Sequence, residues 1–386
     1  MVSFEFATSA RLLFGAGKLA EVPAALRYQG ARRALVATNL PGPGPDRLRS
    51  LLAGAGIESA VLLVDREPTV DLVSAVRAQI QREGCDALVG LGGGSAMDTA
   101  KAVAALATNE GNLLDYLEVV GRGRSLQNRP LPFVAIPTTA GSGAEVTRNA
   151  VIGVPAAKVK VSLRSPFLLP ILTVLDPDLL DGLPARVVAC SGLDALSHLV
   201  ESLVSSRANP LTDALAAEGL RHSARALRRA YTSGMRPDTR EDLMLASLCG
   251  GLCLANGGLG AVHGFAAPLG GMVHAPHGAL CAALLVPVME VNLRALAERA
   301  PEHSARARYR EIAEIVTGRH GAGADEGVAW MRDLCRELEV QSLGRYGLSA
   351  DDVPALVAKA KVASSMRGNP LQLSDQELGE VVRGAL

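Results

Sequence analysis

Up to about residue 175 short apolar runs alternate with helical stretches, and beyond it only helical spacing recurs. This change of pattern constrains the fold more than any other feature of the chain. Arg33 to Thr38 (RALVAT), Ser59 to Val64 (SAVLLV), Ala87 to Gly90 (ALVG) and Pro132 to Ile136 (PFVAI) read as strands. Helical segments Val70 to Glu83 and Ser95 to Thr108 lie between them. The strand runs are hydrophobic almost throughout, as strands are when helices cover both faces of a parallel sheet. Alternation at this spacing predicts a doubly wound α/β domain. After Leu175-Asp176-Pro177-Asp178, helical spacing runs through Arg186 to Val204, Pro210 to Ala230 and Arg240 to Ala255, with glycine-rich breaks at Asn256 to Gly260 and Gly318 to Gly327. The chain is expected to divide into an α/β domain over 1–180 and an all-helical domain over 181–386. Pro41 to Pro45 (PGPGP) reads as an exposed loop.

Charge excludes two partner classes. Lys plus Arg and Asp plus Glu are both 39, so the formal net charge is zero. Nucleic acids and anionic membranes recruit proteins through clustered positive charge, and neither is expected as a partner. The basic stretch Arg221 to Arg229 (RHSARALRR) fits the polar face of a helix. The longest apolar run, Ala279 to Val288, reads as too short for a bilayer and contains Pro287. The N-terminus lacks the charged start and apolar stretch of a signal peptide. Cys85, Cys190, Cys249, Cys253, Cys281 and Cys335 are scattered without a CxxC pair. They read as buried free thiols of a reducing compartment, and a cytoplasmic protein is the expectation.

Two glycine-rich turns suggest a cofactor. Leu88 to Lys101 reads LVGLGGGSAMDTAK, so Gly92, Gly93, Gly94 and Ser95 follow a strand and enter a helix that carries Asp98 and Lys101. Glycines allow close backbone approach to a phosphate, and the helix start offers free N–H groups. The spacing is not that of the usual GxGxxG fingerprint. Pro137 to Thr147 reads PTTAGSGAEVT, again after an apolar strand, with hydroxyls on Thr138, Thr139 and Ser142. Two such loops at the ends of parallel strands suit a long phosphate-bearing cofactor.

A third constellation suggests a metal. In Leu193 to Val200 (LDALSHLV) Asp194 and His198 are four apart and share a helix face. Val262 to Gly278 (VHGFAAPLGGMVHAPHG) then holds His263, His274 and His277, three of seven histidines. One carboxylate with imidazoles suits divalent iron or zinc, acting as a Lewis acid. His274 and His277 are both open as the last ligand on spacing alone.

Together GGGSAMDTAK, PTTAGSGAEVT, GLDALSHLVE and HGFAAPLGGMVHAPHG resemble the iron-containing (group III) alcohol dehydrogenase family, from Leu13-Phe14-Gly15-Ala16-Gly17 to Arg367-Gly368-Asn369-Pro370. The resemblance implies an N-terminal Rossmann-like α/β domain and an all-helical C-terminal domain, the architecture also of dehydroquinate synthase. It implies metal ligands Asp194, His198, His263 and His277. It places Gly93, Gly94 and Ser95 at the pyrophosphate, with Asp98 on the same helix, and Thr138, Thr139 and Ser142 in the second cofactor loop. Lys160, in KVKVSLRSP, resembles the lysine that helps hold the nicotinamide ribose, and a homodimer is implied. Two positions depart from the family pattern. Ala267 stands where many relatives carry a second histidine, and His274 is the nearest residue to take over that role as a catalytic group. Asn39 stands where NAD-preferring relatives often place an Asp. Asn39 can bind the ribose without repelling a 2′-phosphate, so NAD and NADP both remain open.

The expected reaction is reversible hydride transfer between a small alcohol and its aldehyde or oxo compound. A dehydroquinate synthase-type lyase and a non-catalytic nucleotide-binding relative are the alternatives. The lyase would require a basic phosphate-binding cluster near the ligands, and the sequence offers none.

Overall fold

The structure, a computed structural model, describes residues 3–40, 42–157 and 159–386. It forms two compact units. One comprises Thr8–Thr139 with Gly143–Asp181, and the other Gly182–Leu386 with Ala140–Ser142 and the residues leading to Ala7.

The first unit contains β1 (Leu12–Phe14), β2 (Arg33–Thr38), β3 (Glu58–Leu63), β4 (Ala87–Gly92), β5 (Phe133–Pro137), β6 (Asn149–Val154), β7 (Val159–Arg164) and β8 (Leu172–Leu175). Among the described residues six of these form one parallel sheet in the order β1-β8-β5-β4-β2-β3, while β6 and β7 pair as an antiparallel hairpin. Its helices are α1 (Val22–Tyr28), α2 (Pro43–Gly54), α3 (Val70–Glu83) and α4 (Gly94–Thr108). Alternation along the strands divides the core in two. Leu35, Ala37, Leu88, Phe133 and Ala135 pack on one face with Val73, Val76 and Met97. Ala34, Val36, Val89, Leu91 and Ile136 pack on the other with Leu26, Leu48 and Leu52. A strand with both faces covered has no polar side to show, which is why these runs read as continuously apolar.

Three features differ from expectation. β1 and β8, at three and four residues, are too short to show a period, and the β6–β7 hairpin went unread. The PGPGP loop is corrected from Pro43 onward, where α2 begins; Pro41 lies outside the described residues. A proline in the first turn loses only an N–H that has no helical partner.

The second unit contains α5 (Ala185–Val204), α6 (Pro210–Ser233), α7 (Pro237–Gly257), α8 (Ala261–Met272), α9 (His277–Arg299), α10 (Ala305–Thr317), α11 (Ala324–Glu337), α12 (Val353–Lys361) and α13 (Asp375–Ala385). By length and composition α5 and α9 could each cross a membrane, which corrects the expectation that no apolar segment is long enough. Both are instead mostly buried among the other helices.

Beneath the second glycine-rich loop a charged pair is sealed in the first unit. Lys101 on α4 donates from Nζ to the carbonyls of Ala144 (2.5 Å), Thr147 (2.7 Å) and Asn149 (3.0 Å). Burial lowers its amine to about 8, against the pull of Asp98 and Glu145. Glu145 is fully buried and neither carboxyl oxygen has a hydrogen-bond partner. Burial raises its carboxyl from 4.5 to about 7, more than its own backbone N–H dipole and the Lys101 charge pull it down. A carboxyl whose pKa rises on folding stabilises the fold most below its unfolded value, and that contribution is lost as pH climbs through its folded value. We therefore expect Glu145→Gln to gain about 1–3 kcal/mol over the parent at pH 8 and little at pH 5. Denaturant melts across that range would reveal a pH-independent difference if Glu145 were ordinary.

Candidate metal centre and cofactor turn

Helix α5 carries Asp194, His198 and Glu201 at i, i+4 and i+7, a single stripe along one face. All three are buried, at 4%, 2% and 3% exposure. The first N–H groups of a helix lack internal partners, and Glu201 supplies them for α8. It accepts from Val262 N (2.6 Å) and more loosely from His263 N (3.4 Å), while Asn369 Oδ1 accepts from Ala261 N (3.2 Å). Glu201 Oε2 also lies 2.7 Å from His263 Nδ1. A proton held there leaves the Nε2 lone pair free to bind a cation.

That lone pair faces a converging set. Donor atoms of Asp194, His263, His277 and Cys281 all lie within 4.8 Å of one another. His263 Nε2 is 3.4 Å and His277 Nε2 3.8 Å from Asp194 Oδ1. Cys281 Sγ is 3.6 Å from each of the two Nε2 atoms. His277 opens α9 and Cys281 follows one turn later on the same face. The two helices meet closely: a Cβ at Gly278 would sit 2.2 Å from the Cys190 carbonyl oxygen of α5. Only glycine permits that approach.

The expected residues fall in three places. Asp194, His263 and His277 are in the group. His198 lies beside it, its ring stacked on that of His263 with centroids 4.5 Å apart and planes 22° apart. His274 is exposed, outside the group, on the segment before α9. Ala267 is exposed one turn beyond His263.

Two members were missed. Glu201 was visible as the third residue of the α5 stripe, and Cys281 as a His-x3-Cys pair spaced like Asp194 and His198. Cys281 is a buried free thiol, as expected, and it lies beside two imidazoles.

Electrostatics and burial suit a cation. Burial pushes the Asp194 carboxyl up, but His198, His277 and His263 override it and hold it well below the ordinary carboxylate range. Burial, with repulsion from His263 and His277, takes His198 down to about 3 against the pull of Asp194. Burial also lowers His263, yet Cys281, Asp194 and Glu201 raise it well above the usual imidazole value. Cys281 and Asp194 draw His277 up to about 9, though 43% of its side chain meets solvent that screens them. Asp194 Oδ1 and His198 Nδ1 are buried without a hydrogen-bond partner. Such atoms are costly in an apo protein, and a divalent cation would satisfy the carboxylate.

In the first unit the carboxyl ends of neighbouring strands β2, β4 and β5 bring the first glycine turn together with Asn39, Thr138 and Thr139. Gly93 N donates to Asn39 Oδ1 (3.1 Å), and Thr138 N to the Gly92 carbonyl (3.0 Å). A Cβ on Gly92 would meet Asn39 Oδ1 at 2.2 Å, so the turn closes only around glycine. Gly94 and Ser95 begin α4, whose cap residue Gly93 makes no side-chain cap bond. Asp98 accepts from Val151 N (3.0 Å), tying α4 to the hairpin. Lys160 pairs with Glu67. Ser142 belongs to the short 140–142 segment that groups with the helical unit.

The model of the iron-containing alcohol dehydrogenases matches residues 9–177, and that of the family's C-terminal domain matches 188–386. The chain belongs to the iron-containing alcohol dehydrogenase family. It is similar to a choline dehydrogenase of Bacillus subtilis (35% identity, covering 90% of this chain and 86% of the relative). Its fold is similar to that of a 1,3-propanediol oxidoreductase (TM-score 0.92, 33% identity, all of both chains). It is also similar to that of a sulfoacetaldehyde reductase of Bifidobacterium kashiwanohense in complex with NAD+ (TM-score 0.86, 25% identity, 100% of this chain and 99% of that one). The protein is thus an oxidoreductase of the alcohol dehydrogenase family acting on small alcohols or aldehydes, with an α/β unit and a helical unit as that family has.

Because Glu201 holds both the start of α8 and the His263 ring, Glu201→Gln should weaken metal binding about 10- to 100-fold. Chelator competition measures this, and an unchanged affinity would show that the Glu201 contact is only structural.

Proposed function

We propose that the protein interconverts a small primary alcohol and its aldehyde with NAD, at a divalent cation (Fe2+ or Zn2+) held by Asp194, His263 and His277 with His198 alongside. The observation that carries this reading is Asp194 Oδ1, buried, without a hydrogen bond, and faced by two imidazole nitrogens. When bound, the cation supplies Lewis acidity at the substrate oxygen and the nicotinamide takes or gives the hydride. The chain's own contribution is placement and charge. Glu201 sets the His263 tautomer, the Asp194 carboxylate offsets part of the cation's charge, and the bare N–H groups at the start of α4 meet the cofactor's phosphates.

The choice of NAD rests on the NAD+ bound by the similarly folded sulfoacetaldehyde reductase, while Asn39, its Oδ1 engaged by Gly93 N, keeps an amide for a ribose hydroxyl with either nucleotide. Oxidation also releases a proton, and His274 is the proposed acceptor, exposed three residues before His277. Lys160 is proposed to serve the nicotinamide ribose, in exchange for its pairing with Glu67. Cytoplasmic location and a homodimeric state belong to the same reading, resting on the free thiols and on the family resemblance.

His263→Ala should lose bound metal and turnover while keeping its circular dichroism. Activity at the parental level in a metal-free His263→Ala protein would overturn the metal-dependent mechanism. An aldehyde panel followed by nicotinamide absorbance, run with NADH and with NADPH, tests the cofactor choice. His274→Ala should slow turnover about 100-fold and flatten one limb of the pH–rate profile. A variant with parental rate and profile removes His274 from the mechanism.

A further inference from the structure

Helix α8 opens with N–H groups on Ala261, Val262 and His263 that have no carbonyl within the helix to meet. Glu201 serves two of them while it holds the His263 ring. Its Oε1 accepts from Val262 N (2.6 Å), and its Oε2 lies 2.7 Å from His263 Nδ1 and 3.4 Å from His263 N. Ala261 N goes instead to Asn369 Oδ1, at 3.2 Å. Asn369 is buried, on the loop before α13, and its amide is held from every side. Its Nδ2 donates to Asn292 Oδ1 (2.7 Å) and to the Leu371 carbonyl (2.8 Å). Asn292, on α9, returns a bond from its Nδ2 to Asn369 Oδ1 (3.1 Å) and donates to the Tyr309 hydroxyl (3.2 Å). Only one orientation of the Asn369 amide satisfies these partners, because turning it would set an oxygen against the Leu371 carbonyl and an N–H against that of Ala261. A Cβ on Gly260 would lie 2.9 Å from both Asn369 Oδ1 and Glu201 Oε1, so the two acceptors stand side by side at the helix start. A second carboxylate there would repel the first, whereas an amide accepts without adding charge.

We propose that Asn369, braced by Asn292, is a positioning residue for the metal centre: by covering Ala261 N it leaves Glu201 free to hold the His263 ring. The proposal rests on the metal-dependent reading above. Without the amide, three backbone N–H groups and an imidazole N–H compete for one carboxylate, and α8 can turn so that Ala261 N draws an oxygen away from His263 Nδ1. His263 Nε2 is then no longer held toward the cation, although the residue itself is untouched. Asn292 belongs to the helix that also carries His277, so the amide pair ties the start of α8 to α9.

Asn369→Ala should weaken zinc binding about 3- to 10-fold in chelator competition, less than loss of the carboxylate that touches the ring. It should also speed amide hydrogen exchange at Ala261 in the metal-free protein, a readout that needs no metal. Because both residues act through the start of α8, Asn369→Ala should cost less affinity in a Glu201→Gln background than in the parent. Ser374→Ala, which removes the cap of α13, controls for lost stability and should leave zinc affinity as it was. Asn292→Leu keeps the α8 cap and removes only its brace. It should weaken zinc binding in the same direction, and it carries the test where Asn369→Ala is too unstable to purify. Unchanged zinc affinity or unaltered Ala261 exchange in these variants, a full multiplicative loss with Glu201→Gln, or an equal loss in Ser374→Ala would reduce Asn369 to a structural cap and leave the metal site standing. A parent that binds no zinc would overturn both.

Discussion

The Glu201 carboxylate is the interaction on which the helical unit's site depends. It sits on the same face of α5 as Asp194, and it occupies the N–H groups that α8 leaves open at its start. A carboxylate at a helix N-terminus is favoured twice, by hydrogen bonding and by the helix dipole. The same oxygens fix the His263 ring. One buried charge therefore sets the position of a helix, the orientation of its histidine and the tautomer that frees Nε2. Asn369 completes the cap and links it through Asn292 to Tyr309, so the anchor is itself held in a buried polar network.

Close backbone approach is the second constraint, and it operates in both units. Gly278 lets the start of α9 press against α5, which brings His277 and Cys281 within reach of Asp194. Gly92 lets the first turn close on Asn39, which then holds Gly93 N. In each case a side chain would have separated the groups that do the chemistry. Below the second loop the buried Lys101 gathers the carbonyls of Ala144, Thr147 and Asn149. It ties α4 to the far end of that loop, while Glu145 stays sealed in the same unit without a hydrogen-bond partner for its carboxyl oxygens.

The elements easiest to read were those repeated over enough residues to show a period. β2 and α3 lie where their patterns put them, and β4 and α4 nearly so, since two turns or six strand residues average out single exceptions. β1 and β8 were illegible because three or four residues carry no period. Pro43 misled because a proline that breaks a helix interior is well placed at its start. Within the site, Asp194 and His198 stood out through spacing on one helix. The same spacing was present in His277 and Cys281, but a scattered cysteine reads as packing until its neighbours are known. Lys160 illustrates the reverse: the motif suggests a ligand contact, while the fold offers it Glu67, 93 residues earlier in the chain, where no local signal predicts the pair.

By itself the sequence determined the two-part architecture, the glycine turns that follow strands, and three residues of the metal group: Asp194, His263 and His277. Asp194 and His263 follow from local spacing and residue chemistry, which need no knowledge of distant contacts, while His277 rather than His274 followed from the family resemblance. The tertiary structure alone decided which donors converge. It stacked His198 on His263, brought Cys281 to 3.6 Å from two imidazoles, left His274 exposed, and turned Glu201 onto a helix sixty residues away. Convergence depends on how α5, α8 and α9 pack, and packing is set by glycines and buried charges on several helices at once. No single stretch of chain contains that information.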